Sequence, residues 1–346
     1  MLTESQMSDI REHLDKAQNP IFFYDNDADG LCSYVLFRKF IDRGKGVVIR
    51  SHPNIDVGYT RKIYELNADY IFVLDRPILG KAFVDEISKL QLPIVWIDHH
   101  DADNEDYGYD NLFRYNPGIG KKKSSEPVTY WAYKITKREE DSWIAVMGCI
   151  ADHYMPDFSE DFAKRYREYW GKVEKPFEAY YETGIGLLAR AIGFGLKDSV
   201  THVIYLQNYL INCKSPAEAF LEIESNSSFG RKFRELKSRY DNLMSRAKEC
   251  VSDKVIFFSY GGDLSISSEI SNELSYRYPD NFIIVAYTSG AVGNLSIRGK
   301  GVRKIIEKIL PGFEYSSGGG HEDAVGARIQ AKDLERFKRE FEEQIK

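Results

Sequence analysis

The sequence predicts an α/β protein in which a parallel-sheet domain is joined through a helical region to a smaller α/β domain. Three observations carry this reading. Short apolar runs alternate with helix-like stretches over the first hundred residues, strand patterns vanish between about 127 and 250, and they return after 255. A chain of 346 residues has room for two ordinary domains.

Taken in order, IFFYD (21–25), VVIR (47–50), IFVLD (71–75) and IVWID (94–98) read as strands. Between them, 31–44 and 81–90 carry apolar residues at three- and four-residue spacing, as crossover helices on a sheet do. The segment 127–250 is expected to be mainly helical. Its last piece, 230–250, places Phe233, Leu236, Tyr240, Leu243, Met244 and Ala247 on one stripe, the mark of an amphipathic helix and the expected linker. Strands follow at 255–260, 281–290, 293–299 and 324–330, with helices at 267–277 and 301–309. The expected division is a first domain at 1–229, helical from about 127, a linker helix at 230–250 and a second domain at 251–346. There is no internal repeat or low-complexity tract.

Composition narrows the class. A content of 43% hydrophobic and 29% charged residues describes a soluble globular protein, and no apolar run approaches the ~18 residues that span a bilayer. The polar N-terminus is unlike a secretory signal, so a cytoplasmic protein without membrane partners is expected. Cys32, Cys149, Cys213 and Cys250 are too scattered for a zinc clamp or disulfide framework and read as reduced structural residues. A net charge of −6 argues mildly against a nucleic-acid-coated surface, but acids that bind cations would reverse their local field.

The acids are not scattered. Three of the four N-terminal strands run into carboxylates: Asp25-Asn26-Asp27-Ala28-Asp29-Gly30, Asp75-Arg76, and Asp98-His99-His100. In an open parallel sheet the C-terminal strand ends line the ligand crevice, so these groups converge. Converging carboxylates repel one another unless cations or protons compensate them, and two histidines add nitrogen donors. This points to a dinuclear Mn²⁺ or Mg²⁺ centre. Each cluster alone reads equally well as a solvated turn, a calcium loop or a helix cap; their place at successive strand ends favours the metal. The segment 143–158 adds an apolar helix running into Asp152 and His153.

With DNDADG (25–30), Asp75, DHH (98–100) and GCIAD (148–152) in place, the sequence resembles the DHH phosphoesterase superfamily, which includes RecJ-type exonucleases, short-oligonucleotide nucleases and family II pyrophosphatases. SSGGGHEDAVGA (316–327) and LSIRG (295–299) resemble the glycine-rich substrate loop and arginine strand of its DHH-associated domain. The resemblance implies that Asp25, Asp27, Asp29, Asp75, His99 and Asp152 are metal ligands, with Asp75 bridging two ions, Mn²⁺ ahead of Mg²⁺. Asp98 and His100 are then catalytic groups behind or beside them, His100 orienting the scissile phosphate. Arg298, Gly318, Gly319, Gly320 and His321 are expected to hold a substrate anion. Two departures stand out: Phe23 lies where many relatives have a histidine, and Arg76-Pro77 follow Asp75 where a small residue is usual.

The substrate expected is single-stranded DNA or RNA, or short oligonucleotides, hydrolysed from one end with a lean to 3′→5′ polarity. Supporting fields are the 230–250 helix, the basic run Lys121-Lys122-Lys123, and the aromatic stretch 166–181 as a base-stacking surface. Solvated faces and core packing are the bland readings of the same features. A helicase or replication and repair protein, and a second copy of the chain, are the partners considered. The rival functions are a small-molecule phosphoesterase acting on pAp, a cyclic dinucleotide or pyrophosphate, and a noncatalytic replication scaffold.

Overall fold

The computed structural model describes residues 1–51, 54–101, 107–119 and 123–345. They divide into two compact units, Met1–Phe233 and Arg234–Lys346, with the division inside the Ser228–Lys248 helix. Lys121 and Lys122 of the basic run lie outside the described residues.

The first unit is built on a five-stranded, wholly parallel sheet: β1 (Pro20–Asp25), β2 (Lys45–Ile49), β3 (Tyr70–Leu74), β4 (Ile94–Ile97) and β5 (Leu112–Tyr115), in the order β2-β1-β3-β4-β5. Both faces are buried, which explains why β1, β3 and β4 read as continuous apolar runs rather than alternating ones. Alternation survives in which core each residue enters. Ile21, Phe23, Ile71 and Val73 join one cluster with Phe83, Ile87 and Trp96. Phe22 stacks on Phe72 across the strands at 4.8 Å, and Tyr24 on Tyr34 of the Ala28–Ile41 helix at 5.2 Å.

The strand order reverses direction at β1, whose two neighbours are β2 and β3. The crevice that binds ligands in such sheets opens there, at the carboxyl ends of β1 and β3. Asp25 and Asp75 stand at that point. The fifth strand, LFRY, was not apparent in the sequence because only Tyr115 of its four residues is buried. From Val128 onward the unit is helical, as the loss of strand pattern implied, and the Val128–Thr136 and Ser142–Ala151 helices pack on Ala28–Ile41.

The second unit has its own five-stranded sheet: β6 (Val255–Gly261), β7 (Phe282–Ser289), β8 (Val292–Arg298), β9 (Ser317–Gly320) and β10 (Ala324–Gln330), ordered β6-β7-β8-β10-β9. Only β6 and β7 pair in parallel. The Val302–Ile309 and Leu334–Gln344 helices close its core around Ile297, Val325, Phe337 and Phe341. One expectation is corrected here. The glycine run 318–320, read as a loop, is an exposed edge strand whose backbone pairs with β10, Gly318 opposite Ala327 and Gly320 opposite Val325.

Candidate metal centre

The centre begins with the DNDADG segment. Asp25 closes β1, and the chain turns at once into the Ala28–Ile41 helix, whose N-cap is Asp27: its Oδ1 accepts the Gly30 amide at 2.9 Å. Glycine is needed at position 30 because a Cβ there would lie 2.6 Å from the backbone oxygen of Asp25. Asp29, one turn in, is buried, and its two oxygens accept the Val128 amide at 2.9 Å and the Thr129 amide at 2.7 Å, so it binds the start of another helix to the site. Each of those oxygens retains a second lone pair.

Asp75 follows β3 in a left-handed backbone conformation (φ 61°), which turns its carboxylate at the sheet edge. Aspartate tolerates this better than most residues, and such conformations gather at functional sites. Its amide is tied to Ile97 O at 2.9 Å, while its buried Oδ1 accepts no well-aligned hydrogen bond. His99 Nε2 stands 3.3 Å from that oxygen, 3.6 Å from Asp152 Oδ2 and 3.9 Å from Asp29 Oδ2. An ion pair that close with no aligned hydrogen bond suits atoms facing a common third partner.

Asp98 is completely buried and faces away from this group: its Oδ1 meets His100 Nδ1 at 2.8 Å, and its Oδ2 accepts from Asn116 Nδ2 at 3.1 Å. His100 Nδ1 is also 3.7 Å from Asp75 Oδ1. Asp152 caps the C-terminus of the Ser142–Ala151 helix, where the backbone dipole itself favours a cation. Gly148 lets that helix touch its neighbour, since a Cβ would come within 2.4 Å of Thr129 Oγ1.

Three sets of potential ligand atoms lie within 4.8 Å of one another: Asp75, His99 and His100; Asp29, His99 and Asp152; and Asp25, Asp27 and Asp75. The sets share Asp75 and His99, so the donors form one continuous oxygen-rich centre of the kind hard divalent cations favour. Its electrostatics agree. Packing around the carboxyl, then the charges of Asp75, Asp25 and Asp29, raise the Asp27 carboxyl well above its ordinary range, although the residue as a whole is exposed and solvent moderates the effect. Burial and Asp29 raise Asp75, against the pull of His99. Burial and Asp29 bring Asp152 to about 7. Burial opposes charge on His99, but Asp75, Asp29 and Asp152 outweigh it and hold the imidazole up to about 11. Burial and mutual repulsion favour protons on this centre, and its donor set fits divalent metal ions that would take their place.

The structure thus brings Asp25, Asp27, Asp29, Asp75, His99 and Asp152 together, with Asp98 and His100 alongside. Two further residues take part. Asn116, at the end of β5, spans Asp98 and the backbone of His100. Arg76 pairs with Asp25 and donates to Ser51 O at 2.9 Å. Neither belongs to a metal-ligand pattern, and Asn116 follows a strand that the sequence hid.

In the second unit, β10 has β8 and β9 as neighbours, so Arg298 opposite Ala324 and Gly320 opposite Val325 flank the same strand end. Arg298 Nε donates to Asn272 Oδ1 at 2.8 Å, and His321 is exposed in the turn that follows. The aromatic stretch finds partners within the protein: Trp170 is buried against Phe162, Tyr169 stacks on Phe220, and Phe177 on His153 at 4.1 Å. In the Ser228–Lys248 helix, Lys237 pairs with Asp241 and Arg239 with Glu235 and Asp263.

Comparison with known proteins agrees with this architecture. Residues 251–346 match the DHHA1 domain. The chain is similar over 98% of its length to RecJ of Thermus thermophilus solved with Mn²⁺, at 12% identity and a TM-score of 0.65, but spans only 54% of that protein. It is similar to the DHH domain of a member of a family of ribosomal proteins (14% identity, TM-score 0.67, 99% and 89% covered). A pGpG-specific phosphodiesterase of Vibrio cholerae shares the fold at 12% identity and TM-score 0.53, with 95% and 99% covered. No curated protein matches the sequence. Residues 251–346 thus match the DHHA1 domain, and the chain as a whole shares the fold of these solved structures, a DHH domain among them.

Proposed function

We propose that this chain is a DHH-superfamily phosphodiesterase, dependent on metal, that removes nucleotides from one end of single-stranded DNA or RNA. The observation that carries the reading is Asp75, a buried carboxylate shared by the His99 and His100 set and the Asp25 and Asp27 set. Asp25, Asp27, Asp29, Asp75, His99 and Asp152 would hold two divalent ions, with Mn²⁺ preferred because histidine accompanies the carboxylates. Bound there, the ions would acidify the attacking water and neutralise charge on the phosphoryl oxygens.

The chain's own groups do the rest. Asp98 engages His100 Nδ1, which leaves Nε2 to donate to a phosphate oxygen when the ring is charged. Burial resists that charge, but Asp98 outweighs it and raises the His100 pKa. Arg298 and the unpaired outer edge of the exposed Gly318–Gly320 strand supply donors suited to a terminal phosphate, with His321 beside them. Resemblance to two-domain members of the superfamily gives the reading a slight lean to 3′→5′ polarity.

End-labelled DNA and RNA strands incubated with Mn²⁺, Mg²⁺ or chelator test this directly. Shortening that stops with chelator and in His99→Ala or Asp27→Ala is expected, and the label lost first reports polarity. Cleavage undiminished in both variants would refute the metal assignment. A small-molecule phosphoesterase is the second reading, supported by the near-complete coverage of the pGpG-specific enzyme. It predicts turnover of dinucleotides with none on strands beyond a few nucleotides.

A further inference from the structure

Arg76 follows the shared carboxylate Asp75 and is 3% exposed. Its guanidinium pairs with Asp25 Oδ1 and donates to Ser51 O at 2.9 Å, while its carbonyl accepts the Trp96 indole N–H at 2.7 Å. The side chain and backbone are therefore held from three directions, by groups at the end of β1, after β2 and within β4. A guanidinium stays charged at every accessible pH, so it is a permanent cation touching one of the carboxylates of the Asp25, Asp27 and Asp75 set. It engages one oxygen of Asp25 and weakens that group's attraction for a second cation. A divalent ion bound by the same carboxylate would meet the repulsion of the buried guanidinium at a few ångströms, although Asp25 itself is partly exposed. The Asp29, His99 and Asp152 set instead contributes an imidazole.

We propose that Arg76 acts as an internal cation that makes the two ion positions unequal, so that the Asp29, His99 and Asp152 side fills tightly and the Asp25, Asp27 and Asp75 side fills weakly. This rests on the metal-dependent reading above. In that arrangement the second ion enters fully only at higher metal concentration, or when a substrate phosphate brings extra negative charge to the site. Arg76 is a positioning residue, acting through Asp25 rather than on the substrate.

A Mn²⁺ titration of the wild-type chain, followed by the electron paramagnetic resonance signal of free Mn²⁺, reads the two positions without any substrate. Two binding classes separated by about tenfold or more are expected. In Arg76→Gln the classes should converge as the weak one tightens, and in Arg76→Lys, which keeps the charge, the separation should persist. Circular dichroism establishes that each variant is folded, and the wild-type isotherm stands even if the glutamine variant is not. Two indistinguishable classes in the wild type, or an unchanged separation in folded Arg76→Gln, would overturn the role of Arg76 while leaving the metal centre intact. A wild-type chain that binds no Mn²⁺ would overturn both.

Discussion

At the scale of single residues, the centre separates groups that can meet a cation from groups that hold them in place. Asp98 is the clearest of the second kind: completely buried, it belongs to none of the three potential ligand sets and is engaged by His100 Nδ1 and Asn116. Removing its charge with Asp98→Asn should lower kcat about 10- to 100-fold, as losses of groups that orient ligands do, while Mn²⁺ stoichiometry is retained. Loss of both ions in that variant would make Asp98 a ligand instead. The aspartates and histidines were legible in the sequence because their chemistry is unusual at strand ends. Asn116 was not, because an asparagine after a half-buried strand has many uses and its target is 18 residues away.

At the scale of elements, two glycines set the distances on which the centre depends. Gly30 brings the Ala28–Ile41 helix against the end of β1, and Gly148 lets the Ser142–Ala151 helix reach Thr129, which in turn holds the backbone of Asp29. In both places an added methyl meets atoms that cannot swing aside freely. Gly30→Ala and Gly148→Ala should each destabilise the fold by about 1–3 kcal/mol in denaturant unfolding. The Gly30 variant is expected to lose more, since its obstacle is backbone. Equal stability to wild type would show that the helices shift at little cost. β1, β3 and β4 were readable from apolar period within a residue of their ends, whereas the Glu4–Lys16 and Thr60–Glu65 helices were not read. The two strands missed, β5 and β9, have one fully buried residue between them, too few to give a pattern.

At the scale of the molecule, a cluster of acids that retains protons makes stability depend on pH and metal together. Asp27, Asp75 and Asp152 have folded pKa values above their ordinary ones, Asp152 reaching about 7. A carboxyl raised on folding contributes stability that is full below its unfolded value near 4 and is lost as pH rises through the folded value. His99, raised to about 11, also favours the protonated folded form, and its contribution is likewise lost as pH rises through that value. The metal-free centre therefore becomes progressively more strained between about pH 5 and 8, where carboxylate ligands also become available to a cation. The rise in Tm on adding Mn²⁺ to chelator-treated protein should grow across that range by differential scanning fluorimetry. A rise that is constant or shrinks with pH would contradict a carboxylate-held ion.

Sequence by itself determined the parallel sheet, the helical middle, the returning strands and the set of aspartates and histidines at the strand ends. Each of these is written locally, in apolar period or in an unusual run of donors. No helix among the described residues is long and apolar enough to cross a membrane, again a local property. Tertiary structure alone decided the partners: that Asp29 also ties down the Val128 helix, that Asp98 turns toward His100 and Asn116, that the glycine run is an edge strand, and that Arg76 folds back onto Asp25. Three of those contacts, Asp29 to Val128, Asp98 to Asn116 and Arg76 to Asp25, join residues 18 to 99 positions apart, which meet only when strand order places their elements side by side.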